Sequence, residues 1–214
     1  MSNIKLRIFE LPPIGTNAYF LINEQLGEAA LFDAPFGAKE EIDKQLKRYG
    51  VKLTGLWLTH GHWDHMLDAY AFNDDFIPVY AHKDDEHFIK NPELMASFSI
   101  PGLRLRSARI NHYLTDNQEI EIIGEKVKVM HVPGHSAGSV AFLFENLKWV
   151  ISGDAIFAGS VGRTDLPGCS HEVLMNSIAK HILTLDDDVT LFPGHGPKTT
   201  VGRERSLNPF LQKN

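Results

Sequence analysis

Thr59-His60-Gly61-His62-Trp63-Asp64-His65 places four metal-ligand side chains within seven residues. The stretch follows residues 53–58, an apolar run with the length and flanks of a buried strand. Gly61 breaks that run, and Asp64 stands where a helix N-cap would be, ahead of Met66, Leu67, Tyr70 and Phe72. His60, His62, Asp64 and His65 are spaced so that one helix face cannot hold all four. A turning loop can instead splay two histidines one way and an Asp-His pair the other. Two neighbouring metal ions need that arrangement.

Three more ligand-type residues follow strand-like or turn segments. Asp154 ends the run Trp149-Val150-Ile151-Ser152-Gly153, and His135 and His195 each come directly after Pro-Gly. Such positions gather on loops at one rim of a sheet. Neutral imidazole and carboxylate suit zinc, iron or manganese, and a set without thiolate does not choose among them. The other histidines, His82, His87, His112, His131, His171 and His181, lack a ligand-spaced partner. His82 and His87 read as exposed helix residues, and His131 as structural. Cys169, the one cysteine, reads as a loop thiol, and nothing beside it depresses its pKa. Arg104, Arg106 and Arg109 fall in an irregular stretch, 98–113, that reads as a solvated loop.

Composition narrows the class. With 214 residues, 43% hydrophobic and 22% charged, the chain reads as a single globular domain spanning 1–214. A formal charge of −6 argues against a nucleic-acid partner. A single cysteine excludes an intramolecular disulfide framework and is compatible with a reducing compartment. Met1-Ser2-Asn3-Ile4-Lys5 lacks the features of a secretory signal, and no window approaches 18 uninterrupted apolar residues. The expectation is a cytoplasmic protein with no membrane partner. The oligomeric state is left open.

Strands are expected at 4–9, 18–22 and 29–32, then a helix over 38–49 that Gly50 stops. The strand 53–58, a helix and the strand 78–81 follow. A helix interrupted by Pro92 is expected over 82–95. The second half repeats the order in outline, with strands at 120–123, 127–132, 140–144 and 149–152. A helix over 173–183 places Leu174, Ile178 and Ile182 on one face, and 189–192 is the last strand. Sheets followed by helices in each half suggest two sheets packed face to face with helices outside.

These motifs carry a resemblance that covers nearly the whole chain. It runs from Thr59–His65 through His131-Val132-Pro133-Gly134-His135-Ser136, Ser152-Gly153-Asp154 and Gly162-Arg163-Thr164-Asp165. It ends with Pro193-Gly194-His195-Gly196-Pro197 and the tail Glu204-Arg205-Ser206-Leu207-Asn208-Pro209-Phe210. The chain resembles the metallo-β-lactamase superfamily, and within it the short, single-domain bacterial glyoxalase II-like (hydroxyacylglutathione hydrolase) proteins. The resemblance implies an α/β fold, the αββα sandwich of two mixed sheets with helices outside and the metal site at one edge.

It also implies two divalent ions, zinc first, with iron or manganese as alternatives. His60, His62 and His135 would hold one, Asp64, His65 and His195 the other, and Asp154 would bridge both. Two cations lower the pKa of a shared water enough to supply hydroxide near neutral pH and polarise a substrate carbonyl. Asp64 is also a candidate proton shuttle beside a single metal. The implied activity is hydrolysis of a small acyl thioester such as S-D-lactoylglutathione, with Arg163 placed to bind a substrate carboxylate or, equally, to be locked to Asp165. A mono-iron persulfide dioxygenase or a lactonase of the same superfamily is the alternative.

The departures are specific. Full-length glyoxalase II enzymes carry a C-terminal helical domain that holds glutathione, whereas 19 residues follow His195 here (214 − 195), so glutathione recognition is not expected from the resemblance. Gly196-Pro197 replaces that family's aromatic residue, and Asp165 stands where a glutathione-contacting tyrosine would be.

Overall fold

Alternation along two central strands builds four layers. Strand β2 (Thr16–Asn23) is buried along its length except at Asn23. Its even residues Ala18, Phe20 and Ile22 pack with Ala38 and Ile42 of helix α1, while Tyr19 and Leu21 face Phe142 and Phe192 of the opposite sheet. Strand β9 (Val140–Phe144) does the same in mirror order. Val140, Phe142 and Phe144 point between the sheets, and Ala141 and Leu143 pack under Leu174 and Ile178. A strand buried on both faces reads as a continuous apolar run, because successive side chains leave opposite faces. Each such side chain contributes roughly 1.5–3 kcal/mol on burial.

The computed structural model describes residues 3–212; Met1, Ser2 and the last two residues of the expected 1–214 span lie outside the described residues. In chain order its elements are β1 (Ile4–Leu11), β2, β3 (Glu28–Phe32), α1 (Ala38–Tyr49), β4 (Lys52–Trp57), α2 (Trp63–Met66), α3 (Ala69–Asp74), β5 (Val79–His82), α4 (Glu86–Lys90) and β6 (His112–Leu114). The second half has β7 (Glu119–Ile122), β8 (Glu125–His131), β9, β10 (Trp149–Gly153), the short hairpin β11 (Ile156–Phe157) and β12 (Ser160–Val161), α5 (His171–Ser177), β13 (Thr190–Pro193), β14 (Thr199–Thr200) and α6 (Val201–Leu207). The first sheet runs β1-β2-β3-β4-β5-β6, and the second β14-β13-β10-β9-β8-β7. Both are mixed: β3-β4-β5-β6 and β10-β13 pair parallel, the rest antiparallel. This is the expected αββα sandwich. No helix among the described residues is long and apolar enough to cross a membrane.

Several local expectations are corrected. Asp64 does not cap a helix; His62 occupies the N-cap of α2, and the Asp64 carboxylate turns back to Thr16 and His195. Residues 82–95 are not one helix. His82 ends β5, a 3-10 turn covers Lys83–Asp85, α4 follows, and Pro92–Phe98 forms a second 3-10 segment. His82 is therefore not an exposed helix residue: it is half-buried and stacked on His131 with ring centroids 4.0 Å apart. His87 is exposed and helical, as the sequence suggested. The tail of the irregular stretch forms β6 against β5. In the expected 173–183 helix, Leu174, Ile178 and Ile182 are fully buried, but the last turn widens to a π-helix at Ile178–Ile182.

Candidate metal centre

The loop after β4 and those after β8, β10 and β13 meet at one edge of the sandwich and bring all seven expected ligand residues together. His60, His62 and His135 form one group; Asp64, His65 and His195 form another. Asp154 spans them: its Oδ1 lies 3.3 Å from His65 Nε2, and its Oδ2 lies 3.4 Å from His135 Nε2 and 3.5 Å from His195 Nε2. Asp64 Oδ2 is 3.3 Å from His65 Nε2 and 3.2 Å from His195 Nε2. Six of the seven are buried, and His195 is partly open.

Outer partners set each imidazole. His65 Nδ1 donates to Asp33 Oδ2 (2.8 Å), His135 Nδ1 to the Arg163 carbonyl (2.8 Å) and His195 Nδ1 to the Gly15 carbonyl (3.2 Å). Thr59 Oγ1 donates to Asp33 Oδ2, so it accepts from His60 Nδ1 at 3.0 Å. Each ring thus carries its proton on Nδ1 and turns an Nε2 lone pair into the cluster. His62 differs, presenting Nδ1 at 2.9 Å from His135 Nε2.

Metal ions fit this donor set. Five buried side-chain atoms among the described residues have no hydrogen-bond partner, and four are here: Nε2 of His60, His62 and His65, and Asp154 Oδ1. Buried polar atoms are rarely left unsatisfied. Cations among these nitrogens and the carboxylates would satisfy them, and the absence of thiolate leaves zinc, iron and manganese all suitable.

The field inside the cluster is uneven. Burial holds His60 well below the ordinary imidazole pKa, and with the neighbouring His135 pushes His62 down to about 3. Burial also acts against protonated His65 and His195. The carboxylates outweigh it, Asp64, Asp154 and Asp33 at His65, Asp64 and Asp154 at His195, and hold both pKa values raised. Burial opposes ionisation of Asp154, but His65, His135 and His195 overcome it and keep the carboxylate charged.

A proton and a metal compete for one imidazole lone pair, so acidification from pH 8 to pH 5 is expected to release metal from the centre. Elemental analysis after dialysis across that range checks this; unchanged metal content at pH 5 would contradict it.

The sequence reading missed the residues that hold the ligand loops. Asp33 sits at the end of β3 with φ 59°, a left-handed conformation that Asp tolerates. It accepts from the Thr59 amide (2.7 Å), Thr59 Oγ1 (2.8 Å) and His65. Its signal was available: an Asp directly after a buried strand, as at Asp154. Asp85 had no such signal within Lys83-Asp84-Asp85-Glu86. It is fully buried and accepts from the Gly61 amide (2.8 Å), Ser136 Oγ (2.6 Å) and the Gly138 amide (2.7 Å). One carboxylate thus ties the His60–His62 loop to the His135 loop. A Cβ at Gly138 would lie 2.7 Å from Asp85 Cγ, so glycine is required there. At Gly194 a Cβ would lie 2.1 Å from Asp154 Oδ1, and only glycine lets the His195 loop close over the bridge. That loop is pinned from the first sheet by Asn17 and by the Tyr19 hydroxyl, which donates to the Pro193 carbonyl at 2.6 Å.

A cleft of about 360 Å³ opens over the centre. Trp63, Met95, Phe98 and Leu166 line one flank, and Ile14, Phe157 and Val161 the other. Arg163 lines it too, with its guanidinium held by Asp165 through two 2.7 Å bonds. Arg104, Arg106 and Arg109 stay away from it, and Arg106 lies over the Tyr70 ring. Cys169 donates to the His135 carbonyl, and burial raises its pKa, which disfavours the thiolate of this loop residue. In the tail, buried Glu204 accepts from the Gly159 amide (2.7 Å) and so braces the β11–β12 hairpin beside the cleft.

The metallo-beta-lactamase superfamily model matches residues 11–195. Over 200 residues the chain is 34% identical to hydroxyacylglutathione hydrolase GloC of Haemophilus influenzae, covering 89% of this chain and 91% of that one. It superposes on the crystal structure of BLEG-1 B3 metallo-beta-lactamase with a TM-score of 0.90, at 39% identity and covering 98% and 100% of the two chains. A di-iron-bound form of TTHA1623 gives a TM-score of 0.84 at 33% identity, covering 96% and 100%. With the matching fold and the assembled ligand set, the chain belongs to the metallo-β-lactamase superfamily and is a metallo-hydrolase.

Proposed function

We propose that the protein hydrolyses small acyl thioesters at this centre. The observation that carries the reading is the convergence of seven buried or partly buried ligand residues, with the rings of His60, His65, His135 and His195 each oriented by an outer partner, under an open cleft lined by no Ser or Cys nucleophile. His60, His62 and His135 would hold one ion, Asp64, His65 and His195 the other, and Asp154 both. Bound there, two divalent ions, zinc on this reading, would activate water and polarise the carbonyl. Asp64 accepts from Thr16 Oγ1 at 2.9 Å, which fixes its carboxylate at the cleft floor. Beside a single ion, that carboxylate would instead take the proton released when water attacks and pass it to the departing sulfur. The carbon–sulfur bond breaks as the carbon–oxygen bond forms, giving acid and thiol. The similarity to a protein named hydroxyacylglutathione hydrolase supports thioester rather than amide chemistry.

The similarity to a di-iron-bound form supports iron as well as zinc at such a centre, and the alternative reading is a mono-iron persulfide dioxygenase. Zinc-loaded and iron-loaded protein should both release thiol from S-D-lactoylglutathione without oxygen uptake. An oxygen electrode with glutathione persulfide makes the comparison. Oxygen consumption at turnover rates, with no thioester cleavage by either form, would move the protein to the oxidoreductases.

A further inference from the structure

The cleft is apolar on both sides of the centre. Trp63 and Met95 belong to a packed cluster with Leu67, Phe88 and Leu105, and Leu166 leans on it, so this flank is a firm hydrophobic wall. Phe157 on the other flank stands edge-on to His195. At the mouth, Ile14 is 49% exposed and Phe98 is 41% exposed. Large apolar side chains gathered around a cleft mark a surface that a ligand covers. Among the described residues that line the cleft, Arg163 is the one polar side chain outside the ligand set. Its guanidinium is already met by a bidentate carboxylate, that of Asp165. The pair is solvent-exposed, so a substrate carboxylate arriving there would trade one screened surface pairing for another, and the net gain is small.

We infer that the substrates are thioesters with uncharged groups on both sides of the scissile carbonyl, an apolar acyl chain and a neutral thiol, rather than conjugates of an anionic thiol such as glutathione. This rests on the thioesterase reading and adds the substrate class to it. Arg163 on this view is a positioning residue. Its carbonyl fixes the His135 ring, and its side chain braces the loop through Asp165.

The test is a matrix of metal-loaded enzyme with acetyl, butyryl, hexanoyl and lactoyl groups on N-acetylcysteamine and on glutathione. kcat/KM should rise about two- to fourfold per methylene from acetyl to hexanoyl, the factor expected for burying a CH₂ in part or in full. Hexanoyl-N-acetylcysteamine should exceed lactoylglutathione by at least about tenfold. Phe98→Ala should lower the hexanoyl-to-acetyl ratio about fivefold. Arg163→Ala should cost the two thiol series equally and lower the melting temperature. A flat or falling acyl series would overturn the inference while leaving the thioesterase reading in place, as would a loss confined to glutathione thioesters in Arg163→Ala. Cleavage of none of these thioesters would overturn both. A variant that unfolds is replaced by Arg163→Lys, which keeps the charge and lacks the bidentate fork; an equal effect on both thiols again supports the positioning role.

Discussion

Asp154→Ala is expected to lower the affinity for both metals and to reduce kcat/KM by about a thousandfold or more. Its two oxygens face different halves of the centre, Oδ1 toward His65 and Oδ2 toward His135 and His195. On the two-ion reading, removing it would take one ligand from each ion, together with the anion that offsets three imidazoles. Several kcal/mol of transition-state stabilisation depend on such ions, and each 1.4 kcal/mol is about tenfold in rate. Wild-type protein should carry close to two first-row transition metals per chain and lose hydrolysis on chelation. His195→Ala should instead lower occupancy of one site, since its Nε2 faces only Asp64 and the bridge. Elemental analysis of the three proteins decides the matter: full metal content and activity in Asp154→Ala would remove the bridging role.

The second large effect is expected at Asp85, well outside the ligand set. Its carboxylate is the acceptor for two backbone amides and a hydroxyl, all buried, with no cation against it. Asp85→Ala leaves those donors without partners and should destabilise the fold by about 2–5 kcal/mol. The two loops it joins carry His60, His62 and His135, so that half of the centre should lose metal affinity first. Asp85→Asn keeps the shape but turns an amide donor toward groups that are themselves donors. It should keep the fold and lower affinity at the His60-His62-His135 side by roughly 10–100-fold, the range for changes behind a metal ligand. Metal titration of Asp85→Asn, with thermal denaturation alongside, separates this from a general loss of stability. Wild-type affinity at both sites would defeat it.

Much of the centre was legible because ligand chemistry leaves a local trace. Four ligand types in seven residues after a strand, and Pro-Gly-His twice, are patterns that short-range spacing exposes. The parts left unread act across long sequence distances. Asp85 reaches Ser136 and Gly138, 51 and 53 residues away, and Asn17 reaches Gly196 across 179 residues. Nothing near Asp85 in the sequence distinguishes it from exposed Asp84 or from Glu86, which pairs with Lys90. The expected helix over 82–95 failed for a related reason. Its first residue, His82, is taken into β5 by pairing with Leu114 of β6, and the rest is divided between a 3-10 turn at Lys83–Asp85, the short α4 and a 3-10 segment that begins at Pro92.

The sequence by itself determined the layer pattern and the ligand list. Continuous apolar runs specify strands covered on both faces, and imidazole with carboxylate specifies a hard to borderline cation. Only the tertiary structure decided which nitrogen of each histidine faces the centre. That depends on partners supplied by distant loops: Asp33 for His65, the Gly15 carbonyl for His195, the Arg163 carbonyl for His135. It also decided the state of Arg163. An arginine two residues before an aspartate can reach outward or fold back, and the bidentate pairing with Asp165 is set by the loop geometry that Gly162 and the braced hairpin impose. Side-chain identity is a property of the chain, whereas lone-pair direction is a property of the packing around it.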